Sequence, residues 1–410
     1  MKKGQLDSHI LVLVTLGLTA FGLVMVYSAT SAPAALGGGD PVFYLKRESI
    51  YALIGVALLM VAYRTDYRAL RYLAPVLMLT SLGLCLAVLA IGQQVNGARR
   101  WLAVGPLSFQ PSELAKLSLA IWAAAYLARR PAPRTLGELF RPIGLTTGIF
   151  CALILVEPDL GTVIAIAVVL GAILVVSGTP LRVLGTGGTI AFGLALAAIW
   201  VEPYRRARIF SFLDPWHDAQ GAGFQTVQAI IGLGSGGLFG VGLGQGVQKV
   251  NYLPEAHTDM IFATIGEELG LVGAALVVAA YAAFAYAGLR VALRCRDPFG
   301  KRLAAGLTTL VCGQALINLA AVLGLAPLTG ITLPFISYGG SSLVVSLASV
   351  GVLLNIAGHG GQASAQMPDR SRGDGRSRAA VARRRGGARG ARRQGDLRRV
   401  ARSRRGAARS

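Results

Sequence analysis

Charge is what this sequence has least of. Only 14% of its 410 residues are Asp, Glu, Lys or Arg, where a water-soluble chain carries about a quarter. That deficit excludes an ordinary soluble domain and points to lipid as the solvent of most of the chain. Cysteine is scarce too. Cys85, Cys151 and Cys312 lie in apolar runs and Cys295 in a basic turn, with no metal-ligand spacing among them, so they read as small hydrophobes in packed helices. His9, His217, His257 and His359 are equally scattered, which argues against a histidine-held metal.

Positive charge is the exception, and it is local. The net charge is +21, but sixteen Arg against three Asp from Asp369 onward place +13 of it in the C-terminal tail. Rich in Arg, Gly, Ala and Ser, the tail cannot bury a core and is predicted to be disordered. It has neither a fold nor interleaved aromatics, so it implies attraction to an anionic lipid surface rather than to nucleic acid.

What abounds is apolar: 54% of residues are hydrophobic and the mean hydropathy is +0.58. A membrane span needs about 20 such residues. The runs predict helices at 10–29, 49–63, 72–91, 113–128, 142–156, 160–177, 183–201, 261–289, 303–326 and 341–358. The fold class is therefore an all-α integral membrane bundle of about ten transmembrane helices. The first run lacks a small-residue cleavage site before further spans, and reads as a retained helix. Residues 1–9 form a short N-terminus, 10–358 the membrane domain and 359–410 the tail.

Loop charges set the orientation. Arg64, Arg68 and Arg71 follow the second run, Arg129, Arg130, Arg134 and Arg141 the fourth, and Arg182 the sixth. Arg290, Arg294, Arg296, Lys301 and Arg302 follow the eighth. An even span count puts all of these on one side with Lys2, Lys3 and the tail, and an excess of basic loops marks the cytoplasmic side. Both termini are then cytoplasmic. The opposite side holds a segment, 202–260, too long for a simple connection, and such loops are usually functional. The glycine run at 232–237 is no dinucleotide loop, since no strand precedes it; close packing or loop flexibility explains it better.

That outward side should be poor in cations, yet it holds Lys46, Arg47, Arg99, Arg100, Arg205, Arg206, Arg208 and Lys249. They either pair with neighbouring carboxylates and lipid phosphates or bind a pyrophosphate-like group, whose oxygens match the guanidinium fork. Gln110-Pro111-Ser112-Glu113 opens the fourth helix, and Glu113 and Lys116 lie three apart on one face. Charge at that depth is costly unless paired. Glu157 and Asp159 flank a proline turn, as an outer cap or as part of a cavity. The densest polar cluster runs from Leu253 to Phe262 and on to Glu267. There Thr258 is placed to cap the eighth helix, with Asp259 in its first turn and Glu267 two turns deeper. Asp259 is either a carboxylate favoured by the helix dipole or a base able to take a proton from a sugar hydroxyl.

These clusters together resemble the SEDS family (shape, elongation, division and sporulation). The matching segments are Asn96-Gly-Ala-Arg-Arg-Trp101-Leu102, Gln110 to Glu113 and Pro158-Asp-Leu-Gly-Thr162. Further on come Glu202-Pro-Tyr-Arg205, Asp214-Pro-Trp216, Tyr252 to Asp259 and Leu333 to Ser342. They fall in family order over 10–358, and the first, fourth and fifth look like the division branch. The resemblance implies a glycosyltransferase that polymerises lipid II into β-1,4 glycan, inverting at the anomeric carbon and releasing undecaprenyl pyrophosphate. It implies Asp259 as the catalytic carboxylate. Arg99, Arg100, Arg205, Arg206, Lys249, His257 and Ser337 are then candidates for substrate or pyrophosphate binding. Glu113, Lys116, Glu157, Asp159, Glu255 and Glu267 would shape the cavity. It further implies a divalent cation (Mg or Mn) with no metal motif here to hold it, no organic cofactor, a class B penicillin-binding protein transpeptidase as partner, and activators of the division complex. A lipid II flippase, an elongation- or sporulation-type polymerase and a recruiting scaffold are the alternatives.

Overall fold

The computed structural model describes residues 3–37, 39–95, 97–105, 107–250 and 252–365. The predicted disorder of the tail lies outside these residues beyond 365, as do Asn96 and Asn251. The helices, in chain order, are α1 (Lys3–Leu36), α2 (Phe43–Arg64), α3 (Leu70–Ile91), α4 (Pro111–Arg129), the single turn α5 (Leu136–Leu139), α6 (Leu145–Val156), α7 (Leu160–Ser177), α8 (Leu181–Val201), α9 (Pro203–Leu213), α10 (Phe224–Ser235), α11 (Ile261–Arg294), α12 (Pro298–Val322) and α13 (Gly340–Ala365). Ten of them coincide with the ten predicted runs. Eight described helical segments are long and apolar enough to cross a membrane. The other two long helices carry charge within them: Lys46, Arg47 and Glu48 in α2, Glu113 and Lys116 in α4. The protein is a multi-pass helical membrane protein.

One part of the fold is not helical. Between α3 and α4 a three-stranded antiparallel sheet forms from β1 (Gln93–Val95), β2 (Ala98–Val104) and β3 (Leu107–Phe109), with Gln94 opposite Arg99 and Ala103 opposite Ser108. The long loop is structured as well, through α9 and α10.

At the centre stands α12, packed on α4, α7 and α11. Small residues make this close packing possible: Ala115, Ala120, Ala123 and Ala124 of α4 are all fully buried. Polar contacts then sort the helix ends onto two faces. On one face Asp7 of α1 pairs with Arg290 and Arg294 at the end of α11. There too Tyr67 donates to Asp297 at 3.0 Å, and Asn355 of α13 donates to the Tyr63 carbonyl at 2.6 Å. This is the face with the basic turns. On the other face the Tyr338 N–H donates to the His257 carbonyl at 2.8 Å and the Gln110 N–H to Ser341 at 2.9 Å. The sheet, 253–260 and 323–339 therefore share one end of the bundle.

Within α11 the helix breaks at Gly270, which takes φ 66° and ψ −164°. The segment from Gly237 to Gly242 lies in this break and satisfies the freed groups. The N–H groups of Val241 and Gly242 donate to the carbonyls of Glu267 and Glu268, both at 3.0 Å, and the Leu271 N–H donates to the Gly237 carbonyl at 2.9 Å. A side chain at Gly270 would run into the backbone of Leu238 and Gly240. The glycine-rich run thus serves close packing, and a broken helix at this depth is tolerable because its backbone is paired.

Candidate active site

Asp259 precedes α11 in an irregular turn. The sequence places Thr258 as the cap and Asp259 inside the first turn; the structure starts the helix two residues later. Helix α11 begins at Ile261 after Met260. The Thr258 hydroxyl turns back to the Glu255 carboxylate at 2.8 Å instead of capping. A local side-chain acceptor competes with the helix for that hydroxyl, and here it wins.

The turn is held from a distance. Asn318 of α12 donates one amide hydrogen to the Asp259 carbonyl at 2.7 Å and the other to the Ile331 carbonyl at 2.8 Å. His257, two residues earlier, packs its ring against both Tyr44 and Tyr338, with centroids 4.7 and 5.5 Å away. The Asp259 backbone is thereby fastened to α12 and to the 327–339 loop, while its side chain is half-buried. Burial first, and the nearby Glu255 carboxylate second, push its pKa up to about 6, against a pull from the Arg208 guanidinium. Such a carboxylate is mostly ionised at neutral pH and more basic than an exposed one. His257 is shifted the other way, its imidazolium disfavoured by burial. A crevice too tight to hold a water molecule lies against Asp259, walled by Asn318, Leu328, Thr329 and Ile331.

Several predicted site residues have contacts elsewhere. Lys249, expected to bind pyrophosphate, is 4% exposed and pairs with Glu268 at 2.6 Å and Ser28 at 3.1 Å; its charge is already neutralised inside the bundle. Arg100 donates to the carbonyls of Glu157, at 2.9 Å, and Pro158. Arg205 donates to those of Leu155 and Ala198, at 2.7 and 3.0 Å. These two arginines tie the sheet and α9 to the ends of α6 and α8. Arg99 is exposed on β2 and Arg206 half-buried on α9, which leaves them more available to an anion. Ser337 accepts the Leu333 N–H at 2.8 Å and so shapes the 333–337 turn.

The acidic residues divide by depth. Glu113 pairs with Lys116 at 2.8 Å, and Lys116 also donates to Gln314 at 2.8 Å. Gln314 in turn donates to Ser342 at 3.0 Å and the Thr332 carbonyl at 3.2 Å. The pair therefore joins α4, α12, α13 and the loop behind Asp259. Asp159 caps α7 through the Thr162 N–H at 3.0 Å and receives Gln110 at 3.2 Å. Glu157 is buried with neither carboxylate oxygen partnered. Burial, with the Asp159 carboxylate adding to it, raises its pKa to about 8. Glu267 accepts the Val247 N–H at 2.8 Å and shares the Gln248 N–H, so it organises the end of the long loop.

Three residues around Asp259 were not singled out as site candidates: Asn318, Thr329 and Arg208. Arg208 was visible as an outward cation, and donates to the Leu328 carbonyl at 3.2 Å. Asn318 and Thr329 carried no signal, being a lone amide in an apolar run and a loop threonine. Among the described residues no group of three or more His, Cys, Asp or Glu is gathered for a metal. The described residues therefore form no all-protein cage for a divalent cation.

A polytopic helical bundle, with a raised carboxylate in a pinned turn at the end away from its basic loops, is the framework of a membrane-embedded enzyme acting at the lipid–water boundary. The family described as cell cycle protein matches residues 8–361, and the chain belongs to it. It is 42% identical over 360 residues to the probable peptidoglycan glycosyltransferase FtsW of Geobacter sp. strain M18, covering 87% of this chain and 98% of that one. It is 40% identical over 356 residues to the stage V sporulation protein E of Bacillus subtilis, covering 85% and 96%. A chain of a solved peptidoglycan synthase complex, described as coordinating polymerization and crosslinking, superposes with a TM-score of 0.71 at 33% identity, covering 85% and 96%.

Proposed function

We infer that this protein is a division-type peptidoglycan glycosyltransferase that polymerises lipid II at the outer face of the cytoplasmic membrane. The observation that carries the reading is the carboxylate of Asp259, more basic than an exposed one and held by its backbone to α12 and the 327–331 loop. The name of the Geobacter relative agrees with it.

A sugar hydroxyl is a poor nucleophile at neutral pH. Asp259 accepts the proton of the incoming N-acetylglucosamine 4-hydroxyl as its oxygen attacks the anomeric carbon of the growing strand. A β-1,4 bond forms with inversion, the bond to the lipid pyrophosphate breaks, and undecaprenyl pyrophosphate leaves. Cationic side chains stabilise the charge gathering on the leaving group; Arg99 and Arg206 are the most available of those predicted, with Arg208 beside Asp259 itself. Asn318 grips the backbone carbonyl rather than the carboxylate, whose Oδ1 accepts only a long hydrogen bond from the Thr258 hydroxyl at 3.4 Å.

The membrane domain spans 10–358, with the Arg-rich tail and both termini in the cytoplasm and the protein at the division septum. Its partner is a class B penicillin-binding protein transpeptidase, assembled with division-complex activators. A flippase fits less well, because Glu113 and Lys116 spend their charges on each other instead of lining a path. The test is polymerisation of lipid II by the purified protein with its transpeptidase. Native protein yields glycan strands, while Asp259→Asn and Asp259→Ala bind lipid II but yield none. Product from the Asn variant at the native rate removes Asp259 from the chemistry.

A further inference from the structure

From Ala219 to Gln248 thirty consecutive residues carry no Asp, Glu, Lys, Arg or His, although they belong to the long segment that the sequence assigns to the outward side. A water-facing stretch of that length would carry about seven charges. The uncharged stretch holds α10 and the glycine-rich chain that follows it. In that chain Leu238, Val241, Leu243 and Val247 are exposed, and Phe239 is 80% exposed. Large apolar side chains gathered within ten residues and left uncovered mark a contact with another apolar body.

The path of the chain says where that surface lies. Helix α10 runs beside the first part of α11 in the same direction: Gly232 lies near the Ala263 carbonyl, Gly236 against that of Gly266 and Gly240 against that of Glu268. The chain turns over at 237–242 and comes back, the Val247 N–H donating to Glu267 at 2.8 Å and Lys249 pairing with Glu268 at 2.6 Å. Two helices then give the height of the turnover. Glu268 accepts the Ser28 hydroxyl of α1 at 2.7 Å, while at the basic end Asp7 of α1 pairs with Arg290 and Arg294. Asp7 and Ser28 are about 20 residues apart, as are Arg290 and Glu268, a rise of about 30 Å along either helix. That equals the thickness of the hydrocarbon core, so the turnover stands at the outer boundary, where acyl chains meet headgroups. Its backbone suits that place: the N–H groups of Gly240, Val241, Gly242 and Gln245 all donate to carbonyls of the protein, and irregular backbone meets lipid only when so paired.

We propose that residues 238–247 form a membrane-dipping loop, with Phe239 at its tip, whose exposed apolar side chains insert among the acyl chains of the outer leaflet. Lipid is the occupant because the surface offers no charge for a headgroup or an acidic or basic partner, and because its height matches the edge of the hydrocarbon. The loop is thus a membrane contact additional to the spanning helices. The first part of α11 joins it to the Asp259 turn, so the same contact ties the candidate site to the bilayer.

The test places a tryptophan reporter in the loop of the full chain, reconstituted in phosphatidylcholine vesicles. Phe239→Trp is the main variant, Leu243→Trp a second should the first fold poorly, and Gln220→Trp, at an exposed position before α10, the control. The added emission is the difference from native protein, which holds Trp101, Trp122, Trp200 and Trp216. Insertion predicts that the emission at 239 or 243 lies at shorter wavelength than at 220. It predicts loss of most of that emission in phosphatidylcholine brominated near the headgroup end of its acyl chains, and little loss with aqueous iodide. Gln220→Trp should show the reverse. The measurement is repeated with the transpeptidase bound, and quenching by brominated lipid should persist. Iodide quenching at 239 and 243 equal to that at 220 overturns the proposal, since the loop is then in water. Brominated-lipid quenching that disappears on binding the transpeptidase also overturns it, since the surface then belongs to that partner.

Discussion

Replacing Asp259 by Asn should make the protein more stable and inactive at once. The ionised carboxylate is held where burial and Glu255 oppose its charge, so its folded pKa, about 6, lies above the ordinary 3.8. For a carboxylate raised in this way the cost to the fold is absent below pH 3.8, grows as pH climbs, and is complete above about 6. Two pKa units correspond to about 3 kcal/mol as a ceiling, and solvent reaching a half-buried side chain lowers this to roughly 1 to 3 kcal/mol. Asn carries no charge and so escapes the cost. The structural bonds of the turn survive the change, because Asn318 grips the backbone carbonyl and Thr258 is anchored on Glu255. Thermal unfolding in detergent should therefore show the Asn variant melting a few degrees higher at pH 8, with the gain shrinking to nothing toward pH 4. A variant that melts lower at pH 8, or a gain that does not depend on pH, refutes the placement of a strained base.

Three further outcomes follow from the buried charges. Lys116→Met leaves Glu113 and Gln314 without their cation and should cost about 3 to 5 kcal/mol of stability, read as lost folded yield, while adding Glu113→Gln recovers most of it. Lys249→Met should damage folding through the stranded Glu268, with a normal KM for lipid II in the folded fraction; a raised KM with normal stability would restore Lys249 to the substrate site. Glu157 has its pKa raised to about 8, so its ionised form burdens the fold as pH rises from about 4.5 through 8. Glu157→Gln should change melting little at pH 4 and raise it at pH 9.

Much of the architecture was legible because lipid imposes long apolar runs, and each of the ten predicted runs meets a helix. What escaped was short or non-local. The sheet at 93–109 is amphipathic over too few residues to stand out, and α9 and α10 are polar or glycine-rich helices that need the bundle for support. The break at Gly270 falls inside a single predicted run, 261–289, and only the approach of the 237–242 segment reveals it. For the site, Asp259 was legible from its polar cluster and from the family resemblance. The ion pair of Lys249 was not legible because its partners, Glu268 and Ser28, lie 19 and 221 residues away in sequence. Asn318, 59 residues from Asp259, could not be paired with it by spacing alone.

The most direct measurement is the pH dependence of kcat/KM for lipid II polymerisation by the protein bound to its transpeptidase. With Asp259 as the base, activity falls tenfold per pH unit on the acid side of a limb near pH 6, and the Asn variant shows no activity at any pH. A profile flat down to pH 4.5, or an Asn variant that retains the native limb, would contradict the account.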